Sequence, residues 1–192
     1  MTEPSSEGTP SISFLQILSY LYEDNRRRRV LLRKSTSFIG MLSSYFSHIS
    51  VATAIYRLSH YFFCKRIGFL SRFFYVLNIV LFGCDISPMS QIGPGLVIYH
   101  LVGNAVHAKI GKNALLHGQN AIGGSGGESD KGWYGGPVVG DDVTFYFGSK
   151  ILAPVSVGNR AVIGAASLVL DDVPDNKVVV GIPAKIIRDN NG

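Results

Sequence analysis

Along residues 86–169 an aliphatic or aromatic side chain returns at every sixth position, and few backbones satisfy that spacing. One run is Ile86, Ile92, Ile98, Ile110, Leu116 and Ile122, with Asn104 the one polar member; a second is Val139, Phe145, Ile151, Val157, Ile163 and Val169. A period of six matches neither the 3.6 of an α-helix nor the two of a strand. It is the repeat of a β-helix. Gly follows the marked residue at positions 93, 111, 123, 140, 158 and 164, where small residues relieve a tight corner. The expected fold is mainly β: a left-handed parallel β-helix of hexapeptide repeats over 85–192, three hexads making a coil of roughly 18 residues. The marked side chains point inward and stack coil upon coil. A solenoid of this kind needs capped ends, and the run from Gly181 to Arg188 reads as the exit from the last coil into a C-terminal tail.

The two runs are out of phase, because the step from Ile122 to Val139 is not a whole number of hexads. The Gly-rich stretch 123–138 must therefore leave the coil as a protruding loop. Loops on solenoids commonly carry function, and this one holds the only Trp, Trp133, beside Tyr134.

Ahead of the coil, residues 11–84 read as α-helical and residues 1–10, rich in Ser, Glu, Pro and Gly, as disordered. Helical spacing runs over 13–34, 51–65 and 69–81. The third segment is nearly all apolar. It reaches the length of a membrane span only if Arg72 is included, at a cost in lipid. The expected alternative is a helix buried between the coil and neighbouring subunits, with a basic, aromatic helix pair resting on a membrane surface as the other reading. The basic excess lies outside the repeat: residues 1–84 carry ten Lys or Arg and four Asp or Glu, whereas 85–192 carry eight and nine. The run Arg26 to Arg29 with Arg33 and Lys34 reads as a solvated helix end that could also meet acidic lipid. No nucleic-acid motif accompanies it, so no nucleic-acid partner is expected. Two cysteines without metal or redox spacing, and no cleavable signal pattern, point to the cytoplasm, with the inner face of the membrane as an option.

Five histidines are present. His48 and His60 fall in helical segments, as surface or packing residues. His100, His107 and His117 fall in the coil. A His with a carboxylate partner is the usual general-base pair, and Asp85 precedes the first inward residue. Spacing alone does not decide whether Asp85 and His100 touch.

The segments Tyr56 to His60, Leu81 to Pro88, Ile92 to Gly95, Tyr99-His100, Ile122 to Gly124, Val173-Pro174 and Gly181 to Lys185 resemble the serine O-acetyltransferase group of hexapeptide-repeat acyltransferases, over roughly residues 55–188. The resemblance implies acetyl-CoA as co-substrate, no metal, and a homotrimer that could pair into a dimer of trimers, with CoA lying between adjacent coils. It places the catalytic base on His100 and its partner acid on Asp85. It assigns Gly123, Gly124, Phe147, Ala165 and Lys185 to the cofactor groove, Lys185 toward the phosphates. Departures from the family pattern mark the acceptor side. Tyr99 stands where the family has an Asp, and Gly135 and Gly136 stand where it has an Arg-His pair that contacts serine. A carboxylate substrate needs a cation, usually a bidentate Arg. With that pair replaced, Tyr99, His117, Trp133 and Tyr134 become the expected acceptor contacts. Aromatic faces pack on sugar rings, so the leading expectation is O-acetylation of a sugar or surface-polysaccharide unit. Serine O-acetylation for cysteine biosynthesis is the alternative. A non-catalytic hexapeptide scaffold and a zinc site built on His100, His107 and His117 are further readings.

Overall fold

The computed structural model describes residues 12–35, 37–124 and 136–191. The expectations for residues 1–10 and for Trp133, Tyr134 and Gly135 fall outside these residues. Four helices come first: α1 (Phe14–Leu31), α2 (Phe38–Ser44), α3 (His48–Cys64) and α4 (Gly68–Phe82). Hydroxyl caps start three of them: Ser13, Ser37 and Ser47 each accept a first-turn N–H through Oγ. Helix α4 stops at Gly83, whose φ of 59° is left-handed and suits glycine. The sequence pattern found α1, α3 and α4 but not α2, which is a helix of barely two turns and too short to show a period.

Short strands follow: β1 (Cys84–Ile86), β2 (Gln91–Ile92), β3 (Val97–Ile98), β4 (Asn104–Val106), β5 (Lys109–Ile110), β6 (Leu115–Leu116), β7 (Ala121–Ile122), β8 (Val138–Val139), β9 (Thr144–Phe145), β10 (Lys150–Ile151), β11 (Ser156–Val157), β12 (Val162–Ile163), β13 (Leu168–Val169), β14 (Lys177–Gly181) and β15 (Ala184–Asp189). They form three sheets, β1-β4-β7-β10-β13, β11-β8-β5-β2 and β15-β14-β12-β9-β6-β3. All pairs are parallel except β14–β15. The hexad period therefore builds a three-sided parallel β-helix. Its far end is closed by the antiparallel β14–β15 hairpin. Gln91 pairs with Lys109 and Lys150 with Leu168, each a step of three whole hexads. Across the Gly-rich stretch the step is longer, with Lys109 paired to Val138 and Leu115 to Thr144. The phase break is thus an insertion into one coil, after which every face resumes its place.

One inward assignment is corrected. Asn104 does not continue the row; Ile86 pairs with Val106 and Val106 with Ile122, so Val106, only 3 % exposed, takes the inward place. The early coil, from Cys84 to its partner Asn104, is longer than three hexads, and the next, from Ala105 to its partner Ala121, is shorter by the same amount. Asn104 makes the wide turn possible: its Nδ2 donates to the carbonyls of His100 and Leu101, each at 2.7 Å. A buried amide must find such partners. Inside, Ile98, Leu116, Phe145, Ile151 and Ile163 are fully buried.

The Arg run is corrected as well. Arg28 and Arg29 are buried, and Arg27 Nη1 donates to the carbonyls of Gly95 (2.7 Å) and Ala114 (2.9 Å). Nearby, Asp24 and Arg57 form a buried pair with both contacts at 3.0 Å. Asp24 Oδ1 also accepts from the N–H groups of Gly95 and Leu96, and Arg57 donates to the carbonyls of Ile92 and Gly93. By spacing alone the run is a charged stripe; in the fold Arg27 clasps α1 onto the first coil, as Arg57 does α3, while Arg28 and Arg29 donate to the carbonyls of Ser44 and Ser35. Helix α4 packs on α3 through a Phe62–Phe74 ring stack at 5.6 Å, and its far side is open in the single chain. No single described helix is long and apolar enough to cross a membrane; α2 and α3 reach that measure together only across a 73° bend.

Candidate active site

The three-hexad register sorts side chains into columns on the outside of the prism. His100 follows β3, and Gly118, Phe147 and Ala165 occupy the matching place after β6, β9 and β12. Beside it runs a second column: Tyr99, His117, Tyr146 and Gly164. The ring of His100 meets Phe147 edge-on at 6.1 Å. That contact skips a coil, and Gly118 is what allows it. A Cβ at Gly118, where φ is +124°, would lie 2.7 Å from His100 Cβ and 3.2 Å from Phe147 Cε2. In the neighbouring column Tyr99 meets His117 edge-on at 5.1 Å, and His117 stacks on Tyr146 at 4.6 Å. Burial, followed by the charge of His100, pushes the His117 pKa down, which favours its neutral, stacking form. Burial likewise lowers His107.

His100 is exposed and faces a cleft of about 570 Å³ between the helices and the coil. Its lining includes His48, Phe82, Tyr99, Val102, Gln119 and Phe147, with no Lys or Arg among the described residues. His48, read from sequence as a surface or packing residue, starts α3 at the rim of this cleft. Asp85 lies on β1, paired with Ala105. Its Oδ1 accepts from Tyr75 Oη of α4 at 2.8 Å. Burial and this carboxylate push the Tyr75 hydroxyl up to about 12, so it remains a donor. Among the described residues no hydrogen bond joins Asp85 to His100. Tyr75 was not singled out from the sequence, where it is one aromatic among several in an apolar helix.

The cofactor-side residues divide. Phe147 and the exposed Ala165 lie on the His100 column, and Lys185 lies on β15 of the same sheet, 3.7 Å from Asp171 and largely solvent-facing. Gly123 and Gly124 do not join them. They follow β7, and a Cβ at Gly123 would meet His107 at 3.9 Å, one corner of the prism away from His100. No three of His, Cys, Asp and Glu gather into a metal-holding group among the described residues. His100, His107 and His117 are in fact divided between two corners.

Fold and site together define a hexapeptide-repeat β-helix protein with a histidine-bearing cleft. No protein-family model matches the chain. Among curated proteins it is 34% identical over 137 residues to a serine acetyltransferase of Bacillus pumilus, covering 70% of this chain and 62% of that one. It is 31% identical over 173 residues to the serine acetyltransferase of Staphylococcus xylosus, covering 89% and 74%. The crystal structure of the Neisseria gonorrhoeae serine acetyltransferase superposes with a TM-score of 0.80 at 28% identity, over 93% of this chain and 67% of that one. A serine acetyltransferase solved in complex with CoA superposes with a TM-score of 0.77 at 28% identity, over 91% and 71%. The chain belongs to the serine acetyltransferase family. It spans about three fifths of the length of the Bacillus relative.

Proposed function

We propose that this chain is an acetyl-CoA-dependent O-acetyltransferase and that serine is its acceptor. The observation that carries the chemistry is His100, exposed in a cleft with Phe147 and Ala165 above it on one column. His100 takes the proton of the acceptor hydroxyl as its oxygen attacks the thioester carbonyl. The tetrahedral intermediate collapses with loss of CoA thiolate, and His100 returns the proton to that sulfur. Such positioned proton transfer contributes ~10²–10⁴-fold. Asp85 on the neighbouring sheet, steadied by Tyr75, is assigned as the partner acid on the family resemblance, and pairing with it requires the imidazole of His100 to turn toward β1. On the His100 column the side chains dwindle from Phe147 to the exposed Ala165, the place assigned to the pantetheine arm, with Lys185 at its phosphate end.

Serine as acceptor is supported by the family and by its members solved with cysteine and with serine. It replaces the sugar expected from the altered pocket. The placement of Gly123 and Gly124 at another corner supports a trimer, in which that corner of one protomer meets the His100 corner of the next. The cytoplasm is the proposed compartment, supported by two free thiols, Cys64 and Cys84. A sugar hydroxyl remains the second reading on one specific observation: the Tyr99–His117–Tyr146 aromatic column beside His100, with no described cation in the cleft.

Purified protein supplied with acetyl-CoA and serine should release free thiol, and His100→Ala should lower turnover by about 100-fold or more with unchanged size by sedimentation. Turnover with nucleotide sugars but not serine would overturn the serine assignment. Full activity in His100→Ala would overturn the base.

A further inference from the structure

Helix α4 presents to solvent a stripe that nothing in the described chain covers. Phe69, Phe73, Val76 and Val80 recur at i, i+4, i+7 and i+11 and so share one face. They are 80, 52, 43 and 73 % exposed. With Arg72 and Leu77 they line a shallow, almost wholly apolar groove of about 330 Å³. The opposite side of the helix is already occupied by α3. A contiguous apolar face of this kind marks an interaction site.

Charge indicates what covers it. Between Asp24 and Asp85 the chain carries ten Lys or Arg and no Asp or Glu. Arg27, Arg28, Arg29 and Arg57 are spent inside the fold, on carbonyls and on Asp24. Of the exposed remainder, Lys65 and Arg66 stand at the turn entering α4, and Arg72 stands on the helix beside the stripe. None of these three is ion-paired to a carboxylate among the described residues. The surface thus combines aromatic and aliphatic side chains with uncompensated cations at one end.

We propose that α4 docks on an anionic lipid bilayer, with its apolar stripe seated at the acyl boundary and Lys65, Arg66 and Arg72 at the level of the phosphates. Its length, from Gly68 to Phe82, falls short of the ~20 residues needed to span, so the helix lies along the surface. A second copy of the chain fits this face less well. Two such faces brought together set three cations against three with no carboxylate between them. The proposal is independent of the acceptor and of the transfer chemistry.

The test uses the full chain in co-sedimentation with phosphatidylcholine vesicles, with and without about 30% phosphatidylglycerol. Binding is expected with the anionic vesicles, about tenfold tighter or more than with phosphatidylcholine alone and weakened by salt. Arg66→Gln with Arg72→Gln should weaken it roughly fivefold per charge. Phe69→Ser with Phe73→Ser should abolish it while circular dichroism and Tm stay unchanged, because both rings are exposed. Equal binding to the two vesicle types, or binding to neither, would overturn the proposal. So would vesicle binding that survives the Phe substitutions while the oligomer falls apart, since that outcome assigns the face to another copy.

Discussion

At the scale of single residues, the backbone conformation of one glycine governs the candidate base. Gly118→Ala puts a Cβ against both His100 and Phe147 at a positive φ that L residues rarely adopt. It should cost about 1–3 kcal/mol in a denaturant titration, and the displaced imidazole should lower thiol release further than that instability accounts for. Three other histidines set a pH dependence, one of them His107, which burial lowers. His60 is buried, with Nδ1 2.8 Å from the Pro88 carbonyl, and burial pushes its pKa down; His117 is lowered for the same reason. For all three, the unfolded chain takes up a proton more readily than the folded one. Their contribution is therefore fully present above the unfolded value of about 6.5 and is lost as pH falls from there through the depressed folded values. Urea midpoints should drop between about pH 7.5 and about pH 5.5, and His60→Gln should flatten that drop. His100 and Asp85 could be named from the sequence because motif order carried them. Tyr75 and Gly118 could not, since one acts through a long-range hydrogen bond and the other through an absent side chain.

At the scale of elements, the coil holds an interior polar ladder that a hydrophobic repeat does not announce. Asn104 Oδ1 accepts from Asn120 N, and Asn120 Oδ1 accepts from Gly118 N. Asn120 Nδ2 donates to the Tyr146 carbonyl and to Ser149 Oγ, each at 2.8 Å. Asn104, Asn120 and Ser149 are all buried. Asn120→Leu strands those groups without water, at about 1–3 kcal/mol for each one left unpaired, and equilibrium unfolding in urea should show the loss. The hexad count read three faces and the three-hexad coil correctly, because an inward aliphatic in every hexad has one consistent stacking. It misplaced the row at Asn104, because lengthening one coil and shortening the next preserves the count across both. Only the amide-to-carbonyl bonds reveal the slip. The helices show the same division. Their periods were legible in α1, α3 and α4, while the destination of the Arg side chains was not, since a sequence stripe does not say which cations reach a partner.

At the scale of the whole molecule, a single buried ion pair couples the helical region to the coil. Asp24→Asn leaves the Arg57 guanidinium buried without its counter-charge and loosens the grip on residues 92–96. A loss of about 3–5 kcal/mol is expected, together with faster proteolysis of α1 than of the coil. The fold class, the acyl-transfer family and the position of the cleft histidine were within reach of the sequence; the acceptor was not, because the substituted pocket positions say what was lost from a serine site more clearly than what replaced it. The resumed register after residue 136 has a wider consequence. Lys109, Leu115 and Ala121 find Val138, Thr144 and Lys150 as though nothing had been spliced in between. The pairing of the coils on either side does not depend on how much chain lies between them. That stretch can be lengthened or exchanged like a cassette while the prism keeps its old blueprint.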